Sequence, residues 1–294
     1  MSASLLRLPT GPVDLRGLPT DATPDFAHGK TAGKVALAEL GPRLGELQER
    51  LFSEHTTEHP RSVLLVLQGM DTSGKGGVLR HTLGLVDPQG LRITSFKAPT
   101  AQEREHDFLW RIRRALPGPG LIGVFDRSHY EDVLAARVRG LAPLEEIERR
   151  YAAINDFEAE LLAAGTTVVK CMLHISADTQ RERLLERLDR PDKHWKFTPG
   201  DIDDRQLWPA YRAAYETALE RTNTEVAPWH VVPSDRKWYR NLAVGRLLLD
   251  ALEGLAPTWP PARYDVAEQR RRLLHEADPD PDPDPDPDPE GSAA

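Results

Sequence analysis

Residues 69–77 read GMDTSGKGG. Glycine-rich backbone of this kind can fold closely around an anion, because successive N–H groups converge into a nest. Gly69, Met70, Thr72, Ser73, Gly74, Gly76 and Gly77 would supply that nest. Lys75 would reach the outermost phosphates, and a helix starting here would add the positive end of its dipole. The spacing GxxxxGK is that of a P-loop, a motif that carries weight only between a strand and a helix. One position departs from the usual pattern. After Lys75 comes Gly76, where a P-loop ordinarily has a hydroxyl for Mg²⁺. Asp71, inside the loop, offers a carboxylate of the kind a hard cation takes. The plainer role for Asp71 is to stabilise the turn.

A second group lies at LIGVFDRSHYED, residues 121–132, where an apolar run ends in Asp126. An acid at the end of a buried strand beside a phosphate loop is placed to hold a metal–nucleotide complex. Arg127 follows and can clamp phosphoryl oxygens. Ser128 can cap the next helical turn, and Glu131 and Asp132 fall in its first turn, where they complement the dipole whether or not they do chemistry. The third group is basic. Arg181, Arg183, Arg187 and Arg190 lead to Lys193 and Lys196, with Asp189 and Asp192 interleaved. It reads either as surface ion pairing or as cations that close over a moving phosphate. Lys97, Arg104 and Arg111 are candidates for a second anion site. Trp195 and Trp229 could stack a base or pack in the core.

Positioning these groups requires strands and helices in alternation. The run SVLLVLQ at 62–68 has no polar interruption, as expected of a parallel strand buried on both faces. Further strands are expected at 91–96, 121–126, 166–176 and 229–233. Helices are expected at 35–52, with a break or start at Gly41-Pro42, and at 77–86, 101–116, 143–164, 178–188 and 238–255. Alternation of this kind gives an α/β fold: a five-stranded parallel sheet with helices on both faces, three layers in all. Residues 1–33 carry Pro9, Pro12, Pro19 and Pro24 and read as an extended arm, on the surface or disordered. Residues 34–264 form the main domain. About 187–227, rich in charge and tryptophan, is too long for a turn and reads as a lid. A helical extension is expected at 265–277 and a disordered Asp-Pro tail at 278–294.

The chain has 38 Lys plus Arg against 46 Asp plus Glu, a net charge of −8. Residues 278–290 hold seven acids and no base, so the body is nearly neutral and the net charge says little about its partners. No apolar run approaches the ~18 residues that span a bilayer. The first residues lack the apolar core of a signal sequence, and a single Cys171 excludes an internal disulfide or a cysteine metal cluster. A cytoplasmic protein without a nucleic-acid or membrane partner is expected.

GMDTSGKGG, TSFKAPTAQEREHDFLWRI, FDRSHYEDVL, RPDKHWKFTPGDIDDRQLW and PSDRKWYRNL together resemble the polyphosphate kinase type 2 family, over about residues 35–264. The resemblance implies a P-loop kinase-like fold with a helical lid. It implies an Mg²⁺-dependent phosphotransferase (Mn²⁺ as a substitute) acting between inorganic polyphosphate and AMP or ADP, with ATP as a product and guanine nucleotides as further candidates. Gly76 matches the family. Asp71 and Asp126 would serve metal and nucleotide phosphates, and Lys75 and Arg127 the phosphoryl groups. Lys97, Arg127 and Glu131 would bind nucleotide. Arg181, Arg187, Arg190, Lys193 and Lys196 would close over the phosphate chain. Homo-oligomers are common in the family. Two alternatives are an ATP-dependent nucleoside monophosphate kinase and a non-catalytic nucleotide- or polyphosphate-binding module. A GTPase switch would want NKxD, which does not occur, and a DxxG switch at the end of the acid-bearing strand, where Asp126 is followed instead by Arg-Ser-His.

Overall fold

In the computed structural model, residues 5–276 are described. They fall into two compact units that divide after Trp259. The elements of the first are α1 (Lys30–Ser53), β1 (Ser62–Gln68), α2 (Lys75–His81), β2 (Leu91–Ser95), α3 (Ala101–Arg104), α4 (Trp110–Ala115), β3 (Ile122–Asp126), α5 (Ala135–Val138), α6 (Leu144–Ala163), β4 (Thr166–His174), α7 (Ala177–Asp189), α8 (Gly200–Gln206), α9 (Trp208–Thr222), β5 (Trp229–Pro233) and α10 (Lys237–Leu255). The second unit contains α11 (Val266–His275), its N-terminus capped by the Asp265 carboxylate, which accepts from the Glu268 N–H. The Asp-Pro tail expected to be disordered lies outside the described residues.

Five strands form one parallel sheet in the order β2-β3-β1-β4-β5. Side chains alternate across a strand, and the burial follows that alternation. Val63, Leu65 and Leu67 of β1 face a layer built from α1, α2 and α10, while Leu64 and Val66 face α4, α6 and α9. Both faces being covered, β1 is buried at every residue. The central strand thus delivers residues 69–77 to the carboxyl edge of the sheet, next to β3, where Leu67 is in register with Asp126.

Three expectations change. Gly41-Pro42 neither starts nor breaks a helix: α1 runs through it, Pro42 exposed, held by the buried stripe Leu37, Leu40, Leu44, Leu47 and Leu51. Packing of that stripe outweighs the one hydrogen bond a proline removes. The helix expected over 101–116 is two short ones. Asp107 accepts from Leu109 N–H at 3.0 Å, an Asx turn that competes with helix and resets the chain. The N-terminal arm is neither free nor superficial. Leu6, Leu8 and Leu15 are buried, and Arg7 bridges His230 antiparallel at the exposed edge of β5. Prolines kept the arm from helical periodicity, but the apolar residues between them still found the core.

The stretch between α7 and β5 is helical: a 3-10 segment over Pro191–Lys196, then α8 and α9. Among the described residues no helix is long and apolar enough to cross a membrane.

Candidate active site

The glycine-rich loop begins where β1 ends. Gly69, Gly74 and Thr72 have left-handed backbone (φ +150°, +106° and +62°), so the chain turns sharply between β1 and α2. The N–H groups of Gly69, Ser73 and Gly77, expected in the nest, donate instead to Tyr215 Oη and to the Met70 and Gly74 carbonyls. α2 starts at Lys75 itself. Lys75 Nζ donates to the Gly69 carbonyl at 3.2 Å, folding the side chain back over the loop. Burial pushes its pKa below the ordinary lysine value, as does the charge of Arg127; nearby Asp126, Glu131 and Asp71 oppose the fall. An incoming phosphate would replace those weak partners with a strong one.

Two buried arginines brace this loop from below. Arg183 of α7 donates to the carbonyls of Thr72 (2.8 Å) and Ser73 (3.2 Å), and with its other nitrogen to those of Ser234 (2.6 Å) and Asp235 (3.0 Å). Arg240 of α10 donates to the Ser73 carbonyl at 3.2 Å and is gripped by the Asn241 side chain. A Cβ on Gly74 would lie 1.7 Å from Arg240 Nη1, and one on Gly77 would lie 2.3 Å from Nη2. Both glycines therefore admit a guanidinium under the loop. Burial, reinforced by Arg183, pulls Arg240 down to about 9. Sequence reasoning places Arg183 only in a basic run over the phosphate, not beneath the loop, and gives Arg240 no role. Their partners are backbone carbonyls 110 and 167 residues away, which leave no local pattern.

Asp126 ends β3 and is approached by Ser95 Oγ at 3.4 Å. Arg127 follows with φ +63°, a conformation that costs a non-glycine residue about 1–3 kcal/mol and is kept where the surroundings demand it. Its N–H still donates to the Leu67 carbonyl at 3.1 Å, fastening it to the end of β1. Ser128 caps the 3-10 turn His129–Asp132 by accepting from Tyr130 N–H. Arg127 and Glu131 then form one wall of a cavity of about 120 Å³. Gly69, Met70 and Asp71 form its floor, and Trp208, Tyr211 and Tyr215 of α9 the opposite wall. α9 touches the loop directly: Tyr215 Oη accepts from Gly69 N–H at 3.1 Å. Gln180 donates to the Asp71 carbonyl at 3.2 Å.

The structure divides the basic run. Arg187 Nη1 lies 3.2 Å from Asp71 Oδ2, 3.4 Å from Asp201 Oδ2, and donates to the Lys196 carbonyl, tying the loop to the stretch between α7 and α9. Arg183 and Arg187, four apart, share the inner face of α7. Arg181 is on the other face, 64% exposed beside Asp178. Arg190 pairs with Asp192 and Lys193 with Glu186, while Lys196 Nζ sits 4.8 Å over the exposed Trp195 ring. Arg181, Arg190, Lys193 and Lys196 are thus paired away from the loop: Arg181 lies on the other face of α7, and the chain leaves that helix at Arg190 with extended backbone before Lys193 and Lys196. Trp195 packs in no core, whereas Trp229 does. Lys97 lines a second cavity of about 410 Å³ with Arg92, Ser95, Thr100, Arg111 and Arg114. Asp126 therefore adjoins that second hollow through Ser95, and it is near enough to Lys75 to oppose the fall in its pKa.

No group of three or more His, Cys, Asp or Glu able to hold a metal occurs among the described residues. Mg²⁺ does not need one, since it binds one or two carboxylates and takes its other oxygens from phosphate and water. Asp71 and Asp126 fit that role. Thr72 Oγ1 and Ser73 Oγ, buried without a hydrogen-bond partner, are further polar atoms at the loop.

A family model described as Polyphosphate kinase 2 matches residues 28–258. The chain belongs to that family. It is 48% identical over 252 residues to an AMP/ADP-polyphosphate phosphotransferase of Meiothermus ruber, covering 86% of this chain and 93% of the relative. It is 40% identical over 278 residues to an ADP-polyphosphate phosphotransferase of Rhodopseudomonas palustris, covering 89% and 94%. A crystal structure of Polyphosphate Kinase 2 from Arthrobacter aurescens TC1 superposes with a TM-score of 0.91 at 52% identity, over 94% of this chain and 98% of that one. The fold is therefore the P-loop kinase-like α/β fold, with the glycine loop at the carboxyl edge of its sheet.

Proposed function

We propose that the chain moves a phosphoryl group between inorganic polyphosphate and a nucleoside mono- or diphosphate, AMP or ADP. The observation that carries this is the loop 69–77, braced by Arg183 and Arg240 and facing Arg127 across a cavity that α9 closes. Family membership supports the donor, and the names of the similar phosphotransferases support the acceptors.

Phosphoryl transfer asks little covalent chemistry of a protein. It asks for in-line placement and positive charge around the moving group. The backbone N–H groups and Lys75 hold the phosphates on the floor. Arg127, raised by its left-handed backbone, meets them from the wall. The attacking atom is a terminal phosphate oxygen of the nucleotide, already ionised near neutral pH, so no strong base is needed and Asp126 orients. Asp71 and Asp126 would hold Mg²⁺ or Mn²⁺, which supplies charge neutralisation when bound.

The test is polyphosphate with AMP, ADP, GMP or GDP, without ATP, following each product. Product formation is expected with the adenine nucleotides, and Lys75→Ala should lower it by roughly 10²–10³-fold, the usual cost of losing one charge-stabilising donor. Transfer only when ATP replaces polyphosphate would mean a nucleoside monophosphate kinase, and binding without turnover a non-catalytic module.

A further inference from the structure

Beneath the cavity lies a charged group that the chemistry above does not use. Lys170, in the middle of β4, is 0% exposed, as is Glu158 of α6. Lys170 Nζ has three protons and three acceptors: Glu158 Oε2 at 2.6 Å, the Thr222 carbonyl at 2.7 Å and Tyr130 Oη at 2.9 Å. Tyr130 in turn donates to Glu158 Oε1 at 2.7 Å. His129 Nε2 lies 3.4 Å from the same oxygen, and the Trp229 ring lies 5.0 Å from the ammonium. Taking such a pair out of water costs several kcal/mol per ion, and apolar residues of the same volume often do as well. Stability alone is thus a poor reason for the pair.

Its partners suggest another. Tyr130 is in the turn that sets Arg127 and Glu131, one wall of the cavity. Thr222 is the last residue of α9, which carries Trp208, Tyr211 and Tyr215, the other wall. One ammonium binds both supports, through a helix-end carbonyl that also accepts from Thr224 N–H at 3.2 Å.

Resting on the phosphotransfer reading above, we propose that Lys170 is a positioning residue: through Tyr130 and Thr222 it fixes the separation between the Arg127–Glu131 wall and the α9 wall. A misplacement of about 1 Å can cost 10²-fold in rate, so small slack here is enough to matter.

The test compares Lys170→Met, Tyr130→Phe and the double change Lys170→Met with Glu158→Leu against wild type, by melting temperature, kcat and KM, and amide hydrogen exchange at 127–131 and 208–215. Wild-type turnover with polyphosphate comes first, since its absence would defeat the functional reading and not this one; the exchange arm needs no activity. Lys170→Met should melt earlier, exchange faster in both segments, and lose about 10–100-fold in kcat with a smaller change in KM. The double variant should recover its melting temperature but not its kcat. Tyr130→Phe, which keeps the ring and loses one hydroxyl, should fold normally and show the same pattern more weakly. Recovery of kcat together with stability in the double variant would overturn the proposal. So would an unchanged kcat and unchanged exchange in Tyr130→Phe, which decides the matter if Lys170→Met fails to fold.

Discussion

Single residues of the site were legible where the chemistry is local in sequence. Lys75, Asp71 and the glycines announce themselves because a phosphate nest is made from consecutive backbone groups. Asp126 and Arg127 do so because a buried strand that ends in a charge is rare. Arg240 was not legible, and Arg183 only as one of a basic run, since what they hold is main chain brought near only by the fold. Their presence gives the glycine spacing a second meaning. Gly74 must be small both for its φ of +106° and because Arg240 occupies the space of its side chain. Gly74→Ala should therefore cost about 1–3 kcal/mol in strain alone and displace the guanidinium. Calorimetry with pyrophosphate should show binding lost while circular dichroism stays native; retained binding would mean that the loop tolerates the shift. Cys171 makes the opposite case. It is buried in β4, and burial pushes its thiol up to about 12. Thiolate is the reactive form, so the native protein at pH 8 should leave a disulfide reagent unreacted over hours and consume one equivalent once unfolded. Rapid labelling of folded protein would contradict that burial.

Elements were legible in proportion to how far their own pattern agrees with their packing. β1, β5 and α10 are close to their expected bounds because continuous apolar runs and long amphipathic helices leave few alternatives. α1 and the 101–116 region were misjudged in opposite directions: packing rescued a helix with a proline in it, and one aspartate side chain divided a helix of good formers. The stretch expected to be a lid stands out by its length and composition, but its sequence does not tell which of its cations face inward. At its start, Glu186 of α7 accepts from Lys193 at 2.8 Å and from Lys237 of α10 at 3.0 Å. Those two lysines hold the Glu186 carboxyl at about 2, below its ordinary 4.5. A carboxylate with a depressed folded pKa stabilises fully above its unfolded value and loses that contribution as pH falls through the folded one. The gain is thus present above about 4.5 and disappears toward about 2. Being partly solvated, the cluster is worth under about 1 kcal/mol. Glu186→Gln should melt slightly below wild type at pH 7, with the two curves merging as the pH drops below 4; a gap that persisted at low pH would place the stabilisation elsewhere.

At the scale of the whole molecule, net charge is a poor guide to a polyanion's binding, and distribution a better one. The formal −8 is made almost entirely by residues 278–290, seven acids without a base. Arg127, Arg183, Arg187 and Arg240 meanwhile surround one edge of a parallel sheet, where the strand order places β1 beside β3. A phosphate chain carries a charge at every unit, so its binding releases counterions and weakens as salt rises, as it does for nucleic acids. The seven carboxylates add a repulsive field that acts over a Debye length of about 10 Å at 0.1 M salt and about 30 Å at 0.01 M. Deleting 278–294 should therefore lower the KM for polyphosphate at 0.01 M salt, leave kcat unchanged, and make no difference at 0.5 M, where the field is screened. The slope of log KM against log salt should steepen on deletion, because the repulsion no longer offsets the attraction at the low end. Identical KM values for the two forms at 0.01 M would mean that the acidic segment does not reach the field around the loop, and that the near-neutral body alone sets the encounter.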